Sequence, residues 1–278
     1  MQILAHAKIN LALDVLQKRP DGYHEVDMVM QTLMLADTVH LTAASALEME
    51  CDHPAVPCDE HNIAWRAARL LQETMGISRG VRIVIEKKIP VAAGLAGGSS
   101  NAAAVLIGLN QLWQLGLSSR QLQTLGVKIG ADVPFCVVGG TMRAQGIGEI
   151  LTPIRSQAAC RVLLVTPNTP VPTAYIYQQL RAAEIAQHPN LSGLINSLES
   201  GAVERIGADW GNVLEPIALA NFPVVAAAKQ LFDRHGLASL MSGSGPSVFA
   251  LDPPVTTAQN LLNDLPDAWF GCITKFKA

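Results

Sequence analysis

A glycine-rich run in the first half of the chain could bind phosphate groups. Residues 90–101 read Pro-Val-Ala-Ala-Gly-Leu-Ala-Gly-Gly-Ser-Ser-Asn, after a stretch of alternating polarity and before an alanine-rich apolar stretch. Glycines allow a tight turn and close approach of the backbone to a ligand, and the N–H groups and dipole of a following helix attract an anion. The order strand, glycine turn, helix therefore predicts a phosphate site, with the helix beginning at Ser99 and Ser100.

The segment between Ile89 and Ser119 carries no charged residue, which raises the question of a membrane span. Its length exceeds the roughly 20 residues that a spanning helix needs. Its proline, glycines and amide side chains exclude that reading, because unsatisfied polar groups in lipid cost several kcal/mol each. An uncharged segment suits a phosphate site, since an acidic side chain would repel the ligand. A tight strand-to-helix turn without a ligand stays the alternative.

Three familiar nucleotide-binding loops do not fit this chain. The glycine run lacks the Gly-Lys-Ser or Gly-Lys-Thr of the Walker loop, and its glycines do not have the Gly-x-Gly-x-x-Gly spacing of dinucleotide-binding folds. A second glycine turn at residues 243–248 lacks the third glycine and the partner motifs of protein kinases.

Three segments together resemble the GHMP kinases, the small-molecule kinases named for galactose, homoserine, mevalonate and phosphomevalonate. The glycine run matches the family pattern Pro-x-x-x-Gly-Leu-Gly-Ser-Ser-x-Ala, with Ala96 where a glycine is usual. The other segments are Ala-Lys-Ile-Asn-Leu at residues 7–11 and Met-Ser-Gly-Ser-Gly-Pro-Ser-Val-Phe-Ala at residues 241–250. The resemblance implies a two-domain α+β fold: an N-terminal α/β domain with a left-handed βαβ feature, a C-terminal ferredoxin-like domain, and an active site in the cleft between them.

Within this family the chain most resembles the members whose substrate is 4-diphosphocytidyl-2-C-methyl-D-erythritol. The Asp-Gly-Tyr-His element at residues 21–24 separates those members from homoserine and mevalonate kinases. The resemblance implies ATP-dependent phosphorylation of the substrate's C2 hydroxyl, with Mg²⁺, in the non-mevalonate route to isoprenoid precursors. It covers nearly the whole chain, and the segments that carry it are residues 7–11, 19–24, 62–63, 87–90 and 125–134.

The resemblance also assigns roles at the reaction centre. It implies that Asp132 accepts the proton of the attacking hydroxyl, that Lys8 pairs with Asp132, and that Ser99 or Ser100 lies near Mg²⁺. From the residues alone, Lys8 could be a solvated strand lysine and Asp132 a turn residue bonded to its own backbone. The residues expected to bind ATP are Pro90, Gly94, Leu95, Ala96, Gly97, Gly98, Ser99, Ser100 and Asn101, with Asn62 and Lys87 around the nucleoside.

The cytidine part of the substrate calls for aromatic faces, because flat bases stack on aromatic rings. Tyr23 and Tyr177 are expected to sandwich the cytosine, and His24 to bind its edge. A histidine in such a position is otherwise a satisfied structural residue. The remaining residues expected to bind the acceptor are Asn10, at the methylerythritol, and Thr173, Gly243 and Ser244, where backbone N–H groups could meet a diphosphate.

The elements that must position these residues follow from periodicity and from helix stop signals. The predicted strands cover residues 9–16, 26–35, 38–49, 81–86, 161–166, 237–240, 247–251 and 270–276. The predicted helices cover residues 62–75, 102–113, 118–129 and 223–235, with a further helix from about residue 173. Gly76 and Gly236 end two of the helices, and Gly130 and Pro134 place Asp132 in a turn at a helix exit.

Five cysteines scattered along the chain favour reduced thiols over a disulfide framework. Cys51, His53, Cys58 and His61 could in principle hold a tetrahedral zinc ion. Their spacing matches no common zinc motif and prolines 54 and 57 indicate a surface turn, so a loop with incidental polar residues is the expectation and no protein-bound metal is predicted.

Composition fits a metabolic enzyme with a small-molecule substrate. The 278 residues are 49% hydrophobic with a net charge of -3, which argues against a disordered or nucleic-acid-binding chain. Charged residues within the first apolar stretch argue against a signal peptide, so a cytoplasmic protein without membrane partners is expected. The length suits two domains, predicted as residues 1–154, which bind ATP, and residues 155–278.

Two alternatives stay open at this point. The chain could be a GHMP kinase for homoserine, mevalonate or a sugar, which would phosphorylate without cytidine. It could also be an inactive nucleotide sensor of the same fold, although a sensor needs neither Lys8 nor Asp132. A purely structural role would leave the uncharged glycine run unexplained.

Overall fold

A computed structural model describes residues 1–277 of the chain, which form two compact units. The first unit contains residues 1–8, 35–91 and 96–139, and the second contains residues 9–34, 92–95 and the chain from residue 140 onward. Two long strands, β1 (Gln2–Lys18) and β2 (His24–Ala44), contribute residues to both units. The domain boundary after residue 154 stays a prediction.

The first unit is a sheet covered by helices. It adds β3 (Leu47–Cys51), α1 (Ile63–Met75), β4 (Gly80–Glu86), α2 (Gly97–Leu112), α3 (Ser119–Val127) and α4 (Val133–Val138). The strands lie in the order β3-β4-β2-β1; β3 and β4 are parallel, while β4 and β2 are antiparallel. β3, α1 and β4 form the βαβ unit that the family resemblance implies, and its handedness stays a prediction.

The core of the first unit explains why α2 is rich in small residues. Ala102, Ala103 and Leu106 are buried against the sheet residues of the same apolar cluster. A Cβ on Gly108 would overlap the side chains of Leu41 and Ile3, so the helix packs very close to the strands there. Close packing of α2 on the sheet places its N-terminus at the end of β4.

The second unit contains a four-stranded antiparallel sheet and the remaining part of the larger sheet. It adds β5 (Thr141–Gly146), β6 (Ile150–Pro153), β7 (Arg161–Thr166), α5 (Thr173–Gln179), α6 (Leu191–Ser200), α7 (Val203–Asp209), β8 (Gly211–Asn212), α8 (Glu215–Asn221), α9 (Pro223–Arg234), β9 (Leu240–Met241), β10 (Val248–Leu251), α10 (Val255–Asn263) and β11 (Phe270–Lys275). The strand orders are β11-β7-β10-β9 in the four-stranded sheet and β6-β5-β2-β1-β8 in the other.

Several local predictions are confirmed by cap geometry. Asn62 caps α1 by accepting a hydrogen bond from the N–H of Ala64, and Gly76 ends that helix in the left-handed region. Ser118 and Gln121 form a reciprocal capping box at the start of α3. Helices α5 and α9 begin at the predicted residues 173 and 223.

Three predictions about element boundaries are wrong or incomplete. α2 begins at Gly97, before the serine pair, because the N–H of Ser100 already closes a helical turn on the carbonyl of Ala96. Residues 237–239 are not a strand; the N–H of Leu237 binds the carbonyl of Phe232, so this segment completes the exit of α9. Asp132 immediately precedes α4, a helix that was not predicted because Gly130 and Pro134 indicated only a turn.

Two further findings concern membrane-spanning helices and cysteines. No helix within residues 1–277 is long and apolar enough to cross a membrane. All five cysteines have free thiols.

Candidate active site

The glycine turn leads directly into the N-terminus of α2. Ala92, Gly94 and Ala96 all have positive φ angles, of 53°, 73° and 55°, so the backbone reverses its curvature repeatedly between residues 92 and 96. No side chain caps α2, and its first turn carries no acidic residue. The first N–H groups of a helix have no intrahelical partner, so this end of α2 offers backbone donors and a positive dipole to an anion.

Lys8 and Asp132 form an ion pair in the first unit, although they are 124 positions apart in the sequence. Their Nζ and Oδ2 atoms lie 3.5 Å apart; the Lys8 side chain is 5% exposed and that of Asp132 is 33% exposed. The lysine is buried on the strand β1, while the carboxylate stays accessible to a bound molecule. The prediction that these two residues meet is confirmed by this geometry, and their catalytic roles stay a prediction.

The thiol of Cys136 lies next to this pair. Burial, and secondarily the charge of Asp132, raise the pKa of Cys136 well above its usual range. The Cys136 thiol is therefore neutral and does not compete with Asp132 as a base.

The polar residues at the start of α2 have different environments. The Ser100 hydroxyl donates a 2.7 Å hydrogen bond to the carbonyl of His6, and the Asn101 amide donates one of 2.9 Å to Asp37. Ser99 is partly exposed, and its hydroxyl oxygen lies 3.9 Å from the position that a Cβ on Gly130 would occupy. Of these residues, Ser99 thus presents the hydroxyl that best suits a hard cation such as Mg²⁺.

The two residues predicted around the nucleoside are engaged within the protein. The ammonium of Lys87 pairs with the buried carboxylate of Asp37. Asn62 uses its amide oxygen to cap α1 and donates a 2.7 Å hydrogen bond from its amide nitrogen to the carbonyl of Pro57. Their contacts to a nucleoside stay a prediction.

Several predicted substrate residues come together in the second unit. The backbone N–H of Asn10 donates to the hydroxyl of Ser242 at 3.4 Å, and that hydroxyl donates to the carbonyl of Gly94 at 3.1 Å. The hydroxyls of Thr173 and Ser244 are hydrogen-bonded at 2.7 Å. Asn10, Gly94, Thr173 and the turn at residues 242–244 therefore form one connected group.

Sequence reasoning missed Asn212, which holds the turn at residues 241–243. Its amide nitrogen donates to the carbonyls of Met241 and Gly243 at 2.8 and 2.7 Å, and its amide oxygen accepts from the N–H of Leu214. No local pattern marks this residue, because its partners lie about 30 positions further along the chain.

The aromatic residues predicted to bind cytosine lie in different environments. The rings of His24 and Tyr177 are 5.2 Å apart with an interplanar angle of 38°. Burial, and secondarily the charge of Lys18, lower the pKa of His24, so its imidazole is neutral near pH 7. Tyr23 is 58% exposed. The neighbouring Tyr175 packs on Phe222, which leaves Tyr177 as the tyrosine of α5 that faces His24.

The suspected zinc loop contains a different group of ligand-bearing residues. Within residues 1–277, the group whose ligand atoms lie close enough to share an ion is Asp59, Glu60 and His61, and all three are exposed. Cys51, His53 and Cys58 do not belong to it. His61 instead forms a 2.9 Å contact with the carboxylate of Asp59.

Two segments of the chain match known protein families. Residues 62–140 match the GHMP kinases N terminal domain, and residues 188–270 match the GHMP kinases C terminal. The chain belongs to the GHMP kinases.

Two bacterial relatives that match nearly all of this GHMP kinase have the same name. The chain is 50% identical to a 4-diphosphocytidyl-2-C-methyl-D-erythritol kinase of Geobacillus kaustophilus over 269 residues, which is 95% of this chain and 92% of the relative. It is 47% identical to the protein of that name from Bacillus subtilis over 270 residues, 95% of this chain and 93% of the relative.

Solved structures agree with this family membership. A crystal structure of 4-(cytidine 5'-diphospho)-2C-methyl-D-erythritol kinase is 32% identical, with a TM-score of 0.84 and complete coverage of both chains. Homoserine kinase from Cytophaga hutchinsonii, at 19% identity and a TM-score of 0.77 over 100% of this chain and 94% of that one, shares the fold. The predicted two-domain GHMP kinase fold is confirmed.

Proposed function

We propose that this GHMP kinase transfers the γ-phosphoryl group of ATP to the C2 hydroxyl of 4-diphosphocytidyl-2-C-methyl-D-erythritol. The Lys8–Asp132 pair is the observation that carries the reaction, because it supplies a carboxylate that is one-third exposed beside a buried ammonium. The choice of acceptor rests on relatives of that name that are about half identical over 95% of the chain. The reaction belongs to the non-mevalonate route to isoprenoid precursors.

ATP binds with its phosphates along the glycine turn and the start of α2. The uncapped N–H groups and the helix dipole neutralise phosphate charge, and the lack of acidic residues in the first turn avoids repulsion. Mg²⁺ bound with ATP would further neutralise the phosphates, and the partly exposed Ser99 hydroxyl would be its protein ligand. The proposed ATP residues are Pro90, Gly94, Leu95, Ala96, Gly97, Gly98, Ser99, Ser100 and Asn101, with Asn62 and Lys87 nearer to the nucleoside.

Asp132 acts as the base and Lys8 as its electrostatic partner. The C2 hydroxyl oxygen attacks the γ-phosphorus and forms a new O–P bond, while the bond from the γ-phosphorus to the β–γ bridging oxygen breaks and ADP leaves. The hydroxyl proton passes to the Asp132 carboxylate. In a loose transition state the nucleophile loses this proton late, so a carboxylate is a sufficient base and positioning dominates the rate.

The acceptor binds through its cytosine and its diphosphate. Tyr23 and Tyr177 stack on the base, and the neutral His24 imidazole binds its edge, consistent with the lowered pKa of that residue. Thr173, Gly243 and Ser244 surround the diphosphate, and Asn10 contacts the methylerythritol. The five free thiols support a cytoplasmic location for this reaction, because disulfides are rare in that compartment.

Release of ADP by the purified protein with Mg²⁺-ATP tests this function. Four acceptors are compared: 4-diphosphocytidyl-2-C-methyl-D-erythritol, methylerythritol phosphate without cytidine, homoserine and mevalonate. Turnover with the cytidylated acceptor alone is expected. Turnover with another acceptor would contradict the cytidine pocket, and nucleotide binding without any turnover would favour an inactive sensor.

A further inference from the structure

Carboxylates capture three consecutive backbone N–H groups just before the glycine turn. The N–H of Lys87 donates to Asp52 at 2.9 Å, and the N–H groups of Lys88 and Ile89 both donate to one oxygen of Asp37, at 2.7 and 2.8 Å. These residues follow the end of β4 and belong to no strand or helix. The carboxylates therefore replace the ladder partners that the backbone loses where the strand ends.

The second oxygen of Asp37 reaches the other side of the glycine turn. It accepts a 2.9 Å hydrogen bond from the amide of Asn101, in the first part of α2, and pairs with the ammonium of Lys87. The Asp37 side chain is 0% exposed and that of Lys87 is 5% exposed. One buried carboxylate thus ties the segment before the turn to the helix after it.

The start of α2 packs tightly against this anchored segment. A Cβ on Gly97 would lie 3.1 Å from a methyl carbon of Ile89 and 3.2 Å from the ammonium of Lys87. The strand exit and the helix N-terminus are therefore held at a defined spacing. A carboxylate buried at this depth persists only where its hydrogen bonds are satisfied, and Asp37 meets that condition with four donors.

We propose that Asp37, assisted by Asp52, is a positioning residue that holds the glycine turn in the conformation that binds nucleotide phosphates. These two residues form a carboxylate clamp. The clamp contacts no substrate; it acts by setting the spacing between residues 87–89 and α2, so that the backbone donors need no rearrangement when the phosphates arrive. This inference rests on the proposed ATP site.

Two double variants separate positioning from charge. Asp37→Ala with Lys87→Met removes the clamp oxygens, whereas Asp37→Asn with Lys87→Met keeps an acceptor for the N–H groups of Lys88 and Ile89. Neither variant leaves an unpaired buried charge. We expect the Kd for the non-hydrolysable analogue AMP-PNP with Mg²⁺, measured by calorimetry, to be roughly tenfold higher for the alanine variant than for the asparagine variant. Equal Kd values would overturn the proposal.

A partly buried ion pair in the second unit supplies the control. Arg143 binds the Asp27 carboxylate through two hydrogen bonds of 2.8 and 2.6 Å. The double variant Asp27→Ala with Arg143→Met should keep the Kd for AMP-PNP within about twofold of the wild-type value. These residues share no partner with the carboxylate clamp, and substitutions at independent sites do not influence each other. A rise in this control as large as that in the Asp37→Ala variant would assign the effect to general destabilisation and overturn the clamp.

If the Asp37→Ala variant fails to fold, the variant Asp52→Ala tests the proposal instead. The Asp52 carboxylate is exposed, so Asp52→Ala should fold normally and raise the Kd by roughly threefold through the lost hydrogen bond to Lys87. An unchanged Kd there would overturn the clamp. Wild-type protein that binds AMP-PNP without turnover would contradict only the proposed function, whereas failure to bind AMP-PNP would overturn both.

Discussion

At the scale of single residues, the exposure of the carboxylate distinguishes the Lys8–Asp132 pair from the Lys87–Asp37 pair. Asp37 is fully enclosed and satisfied by protein donors, whereas Asp132 exposes a third of its side chain beside a buried lysine. An ion pair with one accessible member contributes little to stability because water screens it. The arrangement therefore suits chemistry on a bound hydroxyl rather than structural support.

Replacement of Asp132 by asparagine tests its role as the base. Asp132→Asn preserves the shape of the side chain but cannot accept the proton, so kcat should fall by about 10²- to 10⁴-fold. The Kd for AMP-PNP should stay close to the wild-type value. Asp252→Asn, which alters an exposed pair with Arg161, is the control and should retain full activity. Equal losses of kcat and nucleotide binding in Asp132→Asn would contradict the assignment.

His24 predicts a pH dependence of acceptor binding. Its pKa in the folded protein lies below the ordinary value of 6.5, so it is neutral above that pH and its protonation opposes the folded, binding-competent state as the pH falls further. The KM for the cytidylated acceptor should be flat from about pH 8 down to about 6.5 and rise below it. The ratio of wild-type KM to that of His24→Asn isolates this effect, and a ratio independent of pH would contradict it.

At the scale of elements, the glycine turn contains one position where a side chain would overlap a neighbouring atom and one where the backbone alone is strained. Gly94 has a φ of 73°, and a Cβ there would overlap the carbonyl oxygen of Ser242. Ala96 has a φ of 55° with a side chain already present, so this position tolerates a Cβ at the cost of left-handed strain. The family's usual glycine at this point relieves strain and is not required for space.

Three substitutions separate strain from steric overlap. Gly94→Ala should lower the free energy of unfolding by about 1–3 kcal/mol and raise the KM for ATP, since the turn must shift away from Ser242. Gly76→Ala, with a φ of 63° and no atom within 4 Å of its new Cβ, should lose stability by about 1 kcal/mol without a change in KM. Ala96→Gly should keep full activity. Urea unfolding and steady-state kinetics measure these outcomes, and an unchanged KM in Gly94→Ala would contradict the steric argument.

At the scale of the whole molecule, the five cysteine thiols differ in how deeply they are buried. Burial raises the pKa of Cys160 to about 12 and that of Cys272 to about 11, whereas Cys58 is exposed. The thiolate is the reactive form, so at pH 8 only about one in 10⁴ molecules carries Cys160 as thiolate.

Alkylation kinetics therefore predict a single fast site. Iodoacetamide at pH 8 should modify Cys58 first, with Cys160 and Cys272 reacting far more slowly, as followed by peptide mass spectrometry. Cys58→Ser should remove the fast phase and retain activity. Modification of Cys160 at the rate of Cys58 would show that the four-stranded sheet opens more readily than its packing indicates.

The sequence by itself determined the features that depend on a few neighbouring residues. The approximate starts of α1 and α3, the end of α1 at Gly76 and the strand before the glycine turn follow from local hydrogen bonding and periodicity. The predicted start of α2 at the serine pair was wrong. The helix begins at Gly97 because Ala96 adopts a left-handed conformation that alanine seldom takes. The pairing of Lys8 with Asp132 was available only through resemblance to a family, since no local rule relates residues so far apart.

Only the tertiary structure decided which partners the polar residues around the glycine turn have within the protein. Lys87 stands next to the glycine turn in sequence, and its ammonium is buried against Asp37, 50 positions away. The same carboxylate binds Asn101, 64 positions away. Asp37 is one of two aspartates in the strand β2, and no neighbouring residue marks it as the anchor. Its partners are chosen by the way the sheet and α2 pack, because a buried charge must find its donors wherever the fold brings them.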